Sequence, residues 1–438
     1  MIGEDVMKMK RETAMYFKYK DLAEFEKVYN DPVAMREITC ADCSCGARRE
    51  MKLETVTVDI GNYHIEVVDC PIMECNNCGR KCLCPDIPQE LYRAYFQLEK
   101  RNQNACRITM KGDHRFEWAE DADYKYDSRD LSIPGLGIDL DPTHPEGFSC
   151  PVFFDRKVLG IFYNDSDYEL DFFSESYGTI AEKGTGGYQY EWNIPFGINK
   201  NDKVILFLGD LDEIDKDDRA VLWLKSYNIP SDHCIVDTEL YQAQLNCVFS
   251  EPIIEKRIIS LRNLFYQRVK NIYGIDLFHL ENECESSANR IRKPLNYSES
   301  ELRENMILLD GLLNEGISGD GLRSLYKKLN GTLPNNSTQT RKLLQGIIAC
   351  VEDEEKAKKI IGPLYSLNDL RICFAHLLPK ENIEQRKQNI LSTFGLTDFQ
   401  DYRRLYDTAL ERLYELYKYL NVMELPAAQQ KYCIRYST

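Results

Sequence analysis

The sequence predicts an α+β multidomain protein: a small zinc ribbon, a β-rich mixed middle domain and an all-α C-terminal helical bundle. Three observations carry that reading. Eight of the 16 cysteines fall between Cys40 and Cys84. Runs of β-branched and aromatic residues fill the stretch 105–250, and from residue 252 onward apolar residues recur at helical spacing. With 438 residues the chain exceeds one ordinary core, and the expected boundaries are 1–100, 101–250 and 251–438.

Within the first region, residues 50–69 read as a β-hairpin. Leu53, Thr55, Thr57 and Asp59 alternate with Val56, Val58 and Ile60, and Ile65, Val67 and Val68 follow the Gly61-Asn62 turn. A helix is expected over 86–100, with Asp86 near its start. In the middle region, Lys203–Leu208 (KVILFL) is a short continuous apolar run, as in a buried strand. Pro294, the Gly316–Gly321 stretch and Gly331–Ser337 supply breaks in the C-terminal region. Its last helix, 398–421, carries Leu405, Ala409, Leu410, Leu413, Leu416, Tyr417 and Leu420 on one face. That face must bury against a neighbour or a second subunit.

Charge narrows the function classes. The net charge of -16 is uneven: residues 101–250 hold 14 Lys/Arg against 28 Asp/Glu, a balance of -14, whereas 251–438 hold 27 against 25. An acidic middle region repels a phosphate backbone, so no specific DNA binding is expected there. The near-neutral C-terminal region leaves RNA open as a partner. The first twenty residues lack the apolar core of a signal peptide, and no run of about 18 apolar residues occurs. These features predict a cytoplasmic protein, no membrane span, and cysteines that are reduced thiols or metal ligands.

The cysteines run Cys40-x2-Cys43-x-Cys45, Cys70, Cys75-x2-Cys78, Cys82-x-Cys84. Two C-x2-C knuckles some thirty residues apart can gather four thiolates around a tetrahedral Zn²⁺, a borderline-soft ion that sulfur suits. The expected ligands are Cys40, Cys43, Cys75 and Cys78, holding one structural zinc per chain. The first knuckle, CADCSCG, is ambiguous: its glycine follows Cys45, so the pair Cys43/Cys45 could replace Cys40/Cys43. A second metal on Cys45, Cys70, Cys82 or Cys84 is the lesser alternative to spare thiols. The order knuckle, TVTVDIGNYHIEVVD, CP, CNNCG resembles the YgiT-type zinc domain of MqsA-like bacterial antitoxins over residues 38–85. The chain departs from that pattern in the doubled first knuckle, in Cys82 and Cys84, and in Arg80 after Gly79. The resemblance implies a zinc-stabilised surface for a protein partner. The helix-turn-helix that follows in that family has no counterpart here.

A second candidate site lies in PLYSLNDLRICFAHLLP (363–379). Arg371 and His376 form an R-x4-H pair in a helical region, and Asn368 precedes Arg371 by one helical turn on the same face. The pair resembles the HEPN ribonuclease motif, although Ile372 stands where that family usually has a polar residue. The resemblance implies a homodimer in which the histidine is general acid or base at a ribose 2′-hydroxyl and the arginine stabilises the scissile phosphate, with no metal. An inactive fold of that kind, or an unrelated bundle with a capping arginine, would carry the same residues.

Other motifs are set aside. Asp210, Asp212, Glu213 and Asp215 follow the KVILFL strand, where Mg²⁺ sites occur, but helix capping explains them better. Gly184, Gly186 and Gly187 read as a turn, and His64, His114, His144, His233 and His279 have no partner at catalytic spacing. Two functions follow: a HEPN-type, metal-independent RNA endonuclease of bacterial antiphage or toxin–antitoxin biology, regulated through its zinc module, or a non-catalytic zinc-dependent protein that recognises a protein partner.

Overall fold

The computed structural model describes residues 15–30, 41–137, 146–185, 187, 189–330, 339–375 and 379–426. The chain is α+β, and it divides into two compact units, Met1–Glu251 and Pro252–Thr438. Each has its own core.

The first unit is built on two sheets. In one, β1 (Met15–Tyr19) runs parallel to β2 (Arg49–Ile60), and β2 pairs antiparallel with β3 (Tyr63–Cys75). β3 also pairs with β4 (Lys81–Leu83) and, in parallel, with β5 (Ala105–Thr109). The hairpin is longer than its alternation signals. Beyond Val68 the pattern lapses because Cys70, Pro71, Ile72 and Met73 are all buried, so both faces of that stretch are covered. Gly61 turns the chain at φ +61°. Helix α1 (Leu22–Asn30) packs near β1, and α2 (Ile87–Lys100) lays Ile87, Leu91, Ala94 and Leu98 into the core.

The second sheet is antiparallel throughout, in the order β11-β6-β10-β9-β8-β7. Its strands are β6 (Pro151–Asp155), β7 (Tyr168–Phe172), β8 (Tyr177–Lys183), β9 (Tyr190–Ile198), β10 (Lys203–Phe207) and β11 (Asn228–Ile229). The KVILF run is β10, flanked on both sides, and Val204, Ile205 and Leu206 are fully buried. Helices α3 (Lys157–Asn164), α4 (Leu208–Asp212), α5 (Arg219–Tyr227) and α6 (Glu239–Asn246) accompany it. Phe153, Ile205, Phe207, Ile235 and Leu240 join Val56, Ile65, Ile72 and Leu91 in one hydrophobic cluster. Residues 1–100 and 101–250, distinct in composition and charge, therefore share a core.

The second unit is helical: α7 (Ile254–Tyr273), α8 (Glu281–Arg290), α9 (Glu299–Asp310), a π-helical turn Gly311–Glu315, α10 (Gly319–Asn330), α11 (Thr340–Ala349), α12 (Glu354–Ala375), α13 (Lys380–Phe394) and α14 (Tyr402–Val422). Ser298 and Glu301 close a reciprocal capping box at the start of α9. The apolar face of α14 is buried at all seven expected positions, and its neighbour is α7 of the same unit. Among the described residues no helix is long and apolar enough to cross a membrane.

Candidate metal centre

The register of the long hairpin places both cysteine knuckles together. Arg49, the first residue of β2, faces Cys75, the last of β3, at the end opposite the Gly61 turn. The first knuckle folds back sharply: Cys43 N–H donates to Ala47 O (2.7 Å), Gly46 N–H to Cys43 O (2.8 Å) and Arg49 N–H to Ala41 O (2.8 Å). The second repeats the device, with Cys75 N–H on Arg80 O (2.9 Å) and Gly79 N–H on Cys75 O (3.0 Å). Gly46 at φ +84° and Gly79 at φ +69° make these reversals without a Cβ penalty. Arg80 then bridges the knuckles by donating to Ser44 Oγ at 2.7 Å.

Four sulfurs converge there, those of Cys43, Cys45, Cys75 and Cys78, all within 4.8 Å of one another. Cys43 and Cys78 sulfurs are 3.6 Å apart, and Cys45 and Cys75 sulfurs 3.4 Å apart. A tetrahedron of Zn–S bonds about 2.3 Å long has edges of about 3.8 Å, so the cluster needs only a small adjustment to close on a metal. The four cysteines can hold a metal ion, and their soft donors are compatible with zinc.

Backbone amides prepare the thiolates. The Cys45 N–H, aided by the neighbouring thiols, brings the Cys43 thiol down to about 6. The Cys78 and Asn77 N–H groups lower Cys75. At Cys78 the Arg80 N–H favours the thiolate, but the adjacent Cys75 and Cys43 sulfurs outweigh it and push the thiol up to about 11. Such a cluster ionises fully only when a cation joins it, so metal binding there releases protons. Cys43 and Cys75 are buried while Cys45 and Cys78 reach the surface, and Asn77 Nδ2 lies 3.8 Å from the Cys45 sulfur.

Cys40 lies outside the described residues. Among those described, Cys45 supplies the fourth sulfur, the arrangement the glycine after Cys45 left open. Cys70 and Cys84 sit in the apolar core, where burial pushes the Cys70 thiol up to about 12 and raises Cys84 as well. Those two behave as core residues, and no second metal-binding group occurs among the described residues.

No family model, curated protein or solved structure matches this chain.

The helical site is described in part, because His376 lies outside the described residues. Arg371 stands on α12 with Asn368 half-buried one turn before it. Its Nε is 3.0 Å from Asp310 Oδ2 and its Nη1 is 3.6 Å from Glu315 Oε1. Asp310 is 1% exposed and also accepts from Asn314 Nδ2 at 2.6 Å. Burial raises the Asp310 carboxyl, against the pull of Asn314, Arg371 and Arg341. The acceptors sit at the end of α9 and in the π-helical turn, which rotates Asn314 onto Asp310 four residues earlier.

A further polar cluster escaped the sequence reading. In the first unit His233 Nδ1 is 2.6 Å from Oδ1 of the fully buried Asp130, whose Oδ2 accepts from Ser231 Oγ at 2.7 Å. His233 holds φ +61°, uncommon for a side-chain-bearing residue. The partners are 103 residues apart in sequence, so no local spacing could signal them. The acidic run after β10 also divides. Asp218 caps α5 through Ala220 N–H at 2.8 Å, as expected of capping, whereas Asp210 is half-buried in α4, where desolvation and the charge of Glu213 push its carboxyl up to about 7.

Proposed function

We propose that this chain is a metal-independent RNA endonuclease of the HEPN type, acting through its C-terminal helical unit and built around a structural zinc in its N-terminal unit. The observation that supports the catalytic half is the setting of Arg371. Its guanidinium is oriented by a buried and an exposed carboxylate while its side chain stays 29% exposed. A guanidinium has five N–H donors, so two anchoring contacts leave others for a phosphate. His376, five residues on, supplies the general acid or base, and Asn368 is the polar helper on the same face. The protein acts as a homodimer in this reading, and defence or toxin–antitoxin biology is the setting that the zinc-ribbon resemblance suggests.

The zinc half rests on the Cys43, Cys45, Cys75 and Cys78 cluster. Four thiolates close the coordination shell and leave no position for a reacting water, so the ion supports structure and presents a surface to a protein partner. Incubating purified protein with single-stranded RNA in EDTA tests the catalytic half. Cleavage that vanishes in His376→Ala and in Arg371→Ala, with folding intact, is the expected result. Undiminished cleavage in His376→Ala would sink the reading.

One observation favours the alternative, a non-catalytic zinc-dependent protein that binds a protein partner. The Arg371–Asp310 pair alone suffices to explain a half-buried arginine beside a buried carboxylate as structural. Under that reading neither variant changes RNA, and metal analysis still returns about one zinc per chain.

A further inference from the structure

The sulfurs of the metal centre meet in two pairs, and each pair joins one knuckle to the other. Exposed Cys45 meets buried Cys75 at 3.4 Å, and exposed Cys78 meets buried Cys43 at 3.6 Å. Each pair therefore couples a sulfur that solvent reaches to one that the fold shelters. That is the arrangement of an oxidant-sensing thiol beside the thiol that resolves it: the first is open to attack, and the second is within reach of the product.

Neither contact lies within a knuckle. Cys43 and Cys45 share one reversal and Cys75 and Cys78 the other, and Arg80 holds the two in register by donating to Ser44 Oγ at 2.7 Å. Bridges from Cys45 to Cys75 and from Cys78 to Cys43 would stitch turn to turn, as four thiolates on one ion do. A disulfide of about 2.05 Å draws each pair in by roughly 1.5 Å, a small movement for two exposed turns. The neighbouring thiols are out of reach of solvent or turned away. Cys70 and Cys84 are fully buried, and half-buried Cys82 has its sulfur 3.7 Å from Met73 O.

We propose that this cluster is a redox switch, in which a hydroperoxide replaces metal ligation by two disulfides that run between the knuckles, Cys45–Cys75 and Cys43–Cys78. This rests on the zinc reading of the four cysteines. The Cys45 thiolate attacks a peroxide oxygen, the O–O bond breaks, and a sulfenic acid and one water result once a proton is taken up. The Cys75 thiolate then attacks that sulfur, the S–O bond breaks, and the departing hydroxide takes a proton to become a second water. Cys78 and Cys43 repeat the sequence. In sum, four thiolates give up four electrons to two hydrogen peroxides, four protons are consumed and four waters form. The disulfide sulfurs are no longer thiolate ligands, so the ion is released as Zn²⁺.

The test uses the full chain loaded with Zn²⁺ and titrated with hydrogen peroxide. Released zinc is read with a chromogenic chelator, and bridges are read by peptide mass mapping without reduction. Complete release at about two peroxides per ion is expected, with Cys45–Cys75 and Cys43–Cys78 as the bridges. Dithiothreitol with added Zn²⁺ then restores the thiols and the metal. Amide exchange over 41–49 and 75–80 should stay well below that of the EDTA-stripped chain, because the bridges still join the turns. Zinc that stays bound under a large excess of peroxide overturns the switch and leaves the zinc site standing. So does release that leaves sulfinic acids, or bridges confined to Cys43–Cys45 and Cys75–Cys78. A reduced chain that takes up no zinc overturns the metal reading instead, and mapping its peroxide products still decides the pairing of the sulfurs.

Discussion

The side-chain amide of Asn76, which stands between Cys75 and Cys78, donates to the Asp237 carboxylate across 2.8 Å. The second knuckle thereby grips the segment 230–238, itself laced by Asn199 Nδ2 to Cys234 O (3.0 Å) and to Asp232 (3.1 Å), and by His233 to Asp130. A metal at the cysteine cluster would thus hold more than the two turns that ligate it.

Removing that metal is expected to loosen the 230–238 segment. Amide hydrogen exchange should rise there and in residues 41–49 and 75–80 on chelation, while the strand β10 stays protected. At free zinc about 100-fold above Kd the ion contributes ~2.7 kcal/mol, which lowers Tm by about 5–10 °C when it is stripped from a unit of this size. Exchange that increases only in the knuckles would refute the link through Asn76.

The choice between Cys40 and Cys45 is open to direct measurement. Cys45→Ser should reduce bound zinc from about one per chain to well under half, as should Cys75→Ser, because three thiolates and a hydroxyl make a poor site. Cys40→Ser should retain it. Loss of metal in Cys40→Ser with retention in Cys45→Ser would reverse the assignment.

What could be read in advance divides along physical lines. The Gly61 turn and the α14 face are local patterns found where the sequence put them, and three of the four expected ligands, Cys43, Cys75 and Cys78, converge. Cys45 was undecided because a knuckle is defined by its turn geometry, here Gly46 at φ +84°, and spacing alone permits two pairs. The shared core of residues 1–100 and 101–250 gathers residues such as Ile72 and Ile205 into one cluster although they are far apart in sequence. For the same reason the Asp130–His233 pair and the Asp310 cluster had no local signature: a buried polar pair is visible only once burial is known.

The His233–Asp130 pair should make the first unit sensitive to pH. Burial disfavours the charged imidazole, but the hydrogen bond and charge of Asp130, with Asp127 behind it, outweigh this and raise the His233 pKa, against the opposing charge of Arg129. A group whose folded pKa is raised contributes stability that is complete below its unfolded value of about 6.5 and is lost as pH climbs through the folded value. Urea unfolding at several pH values should show wild type losing stability relative to His233→Gln as pH rises above about 6.5. Parallel curves for the two proteins would rule the coupling out.

The last expectation concerns Arg371 as a structural partner, separable from any role in catalysis. Asp310 is essentially sealed from solvent, and Arg371 provides the nearest countercharge, at 3.0 Å. Replacing Arg371 by methionine keeps most of its packing volume but removes that charge, which leaves Asn314 and the more distant Arg341 to stabilise the carboxylate. Breaking a buried pair costs ~3–5 kcal/mol when both partners are sealed; Arg371 is partly exposed, so about 2 kcal/mol at pH 8 is the better expectation. The carboxyl of Asp310, already raised by burial, rises further in the variant. Its protonation then relieves the unpaired charge, so the deficit should shrink as pH falls toward about 5. Adding Asp310→Asn to Arg371→Met should restore stability at pH 8, since the uncompensated charge is gone. A deficit that is equal at both pH values, and that Asp310→Asn fails to relieve, would place the loss in packing and remove electrostatics as the reason these residues meet.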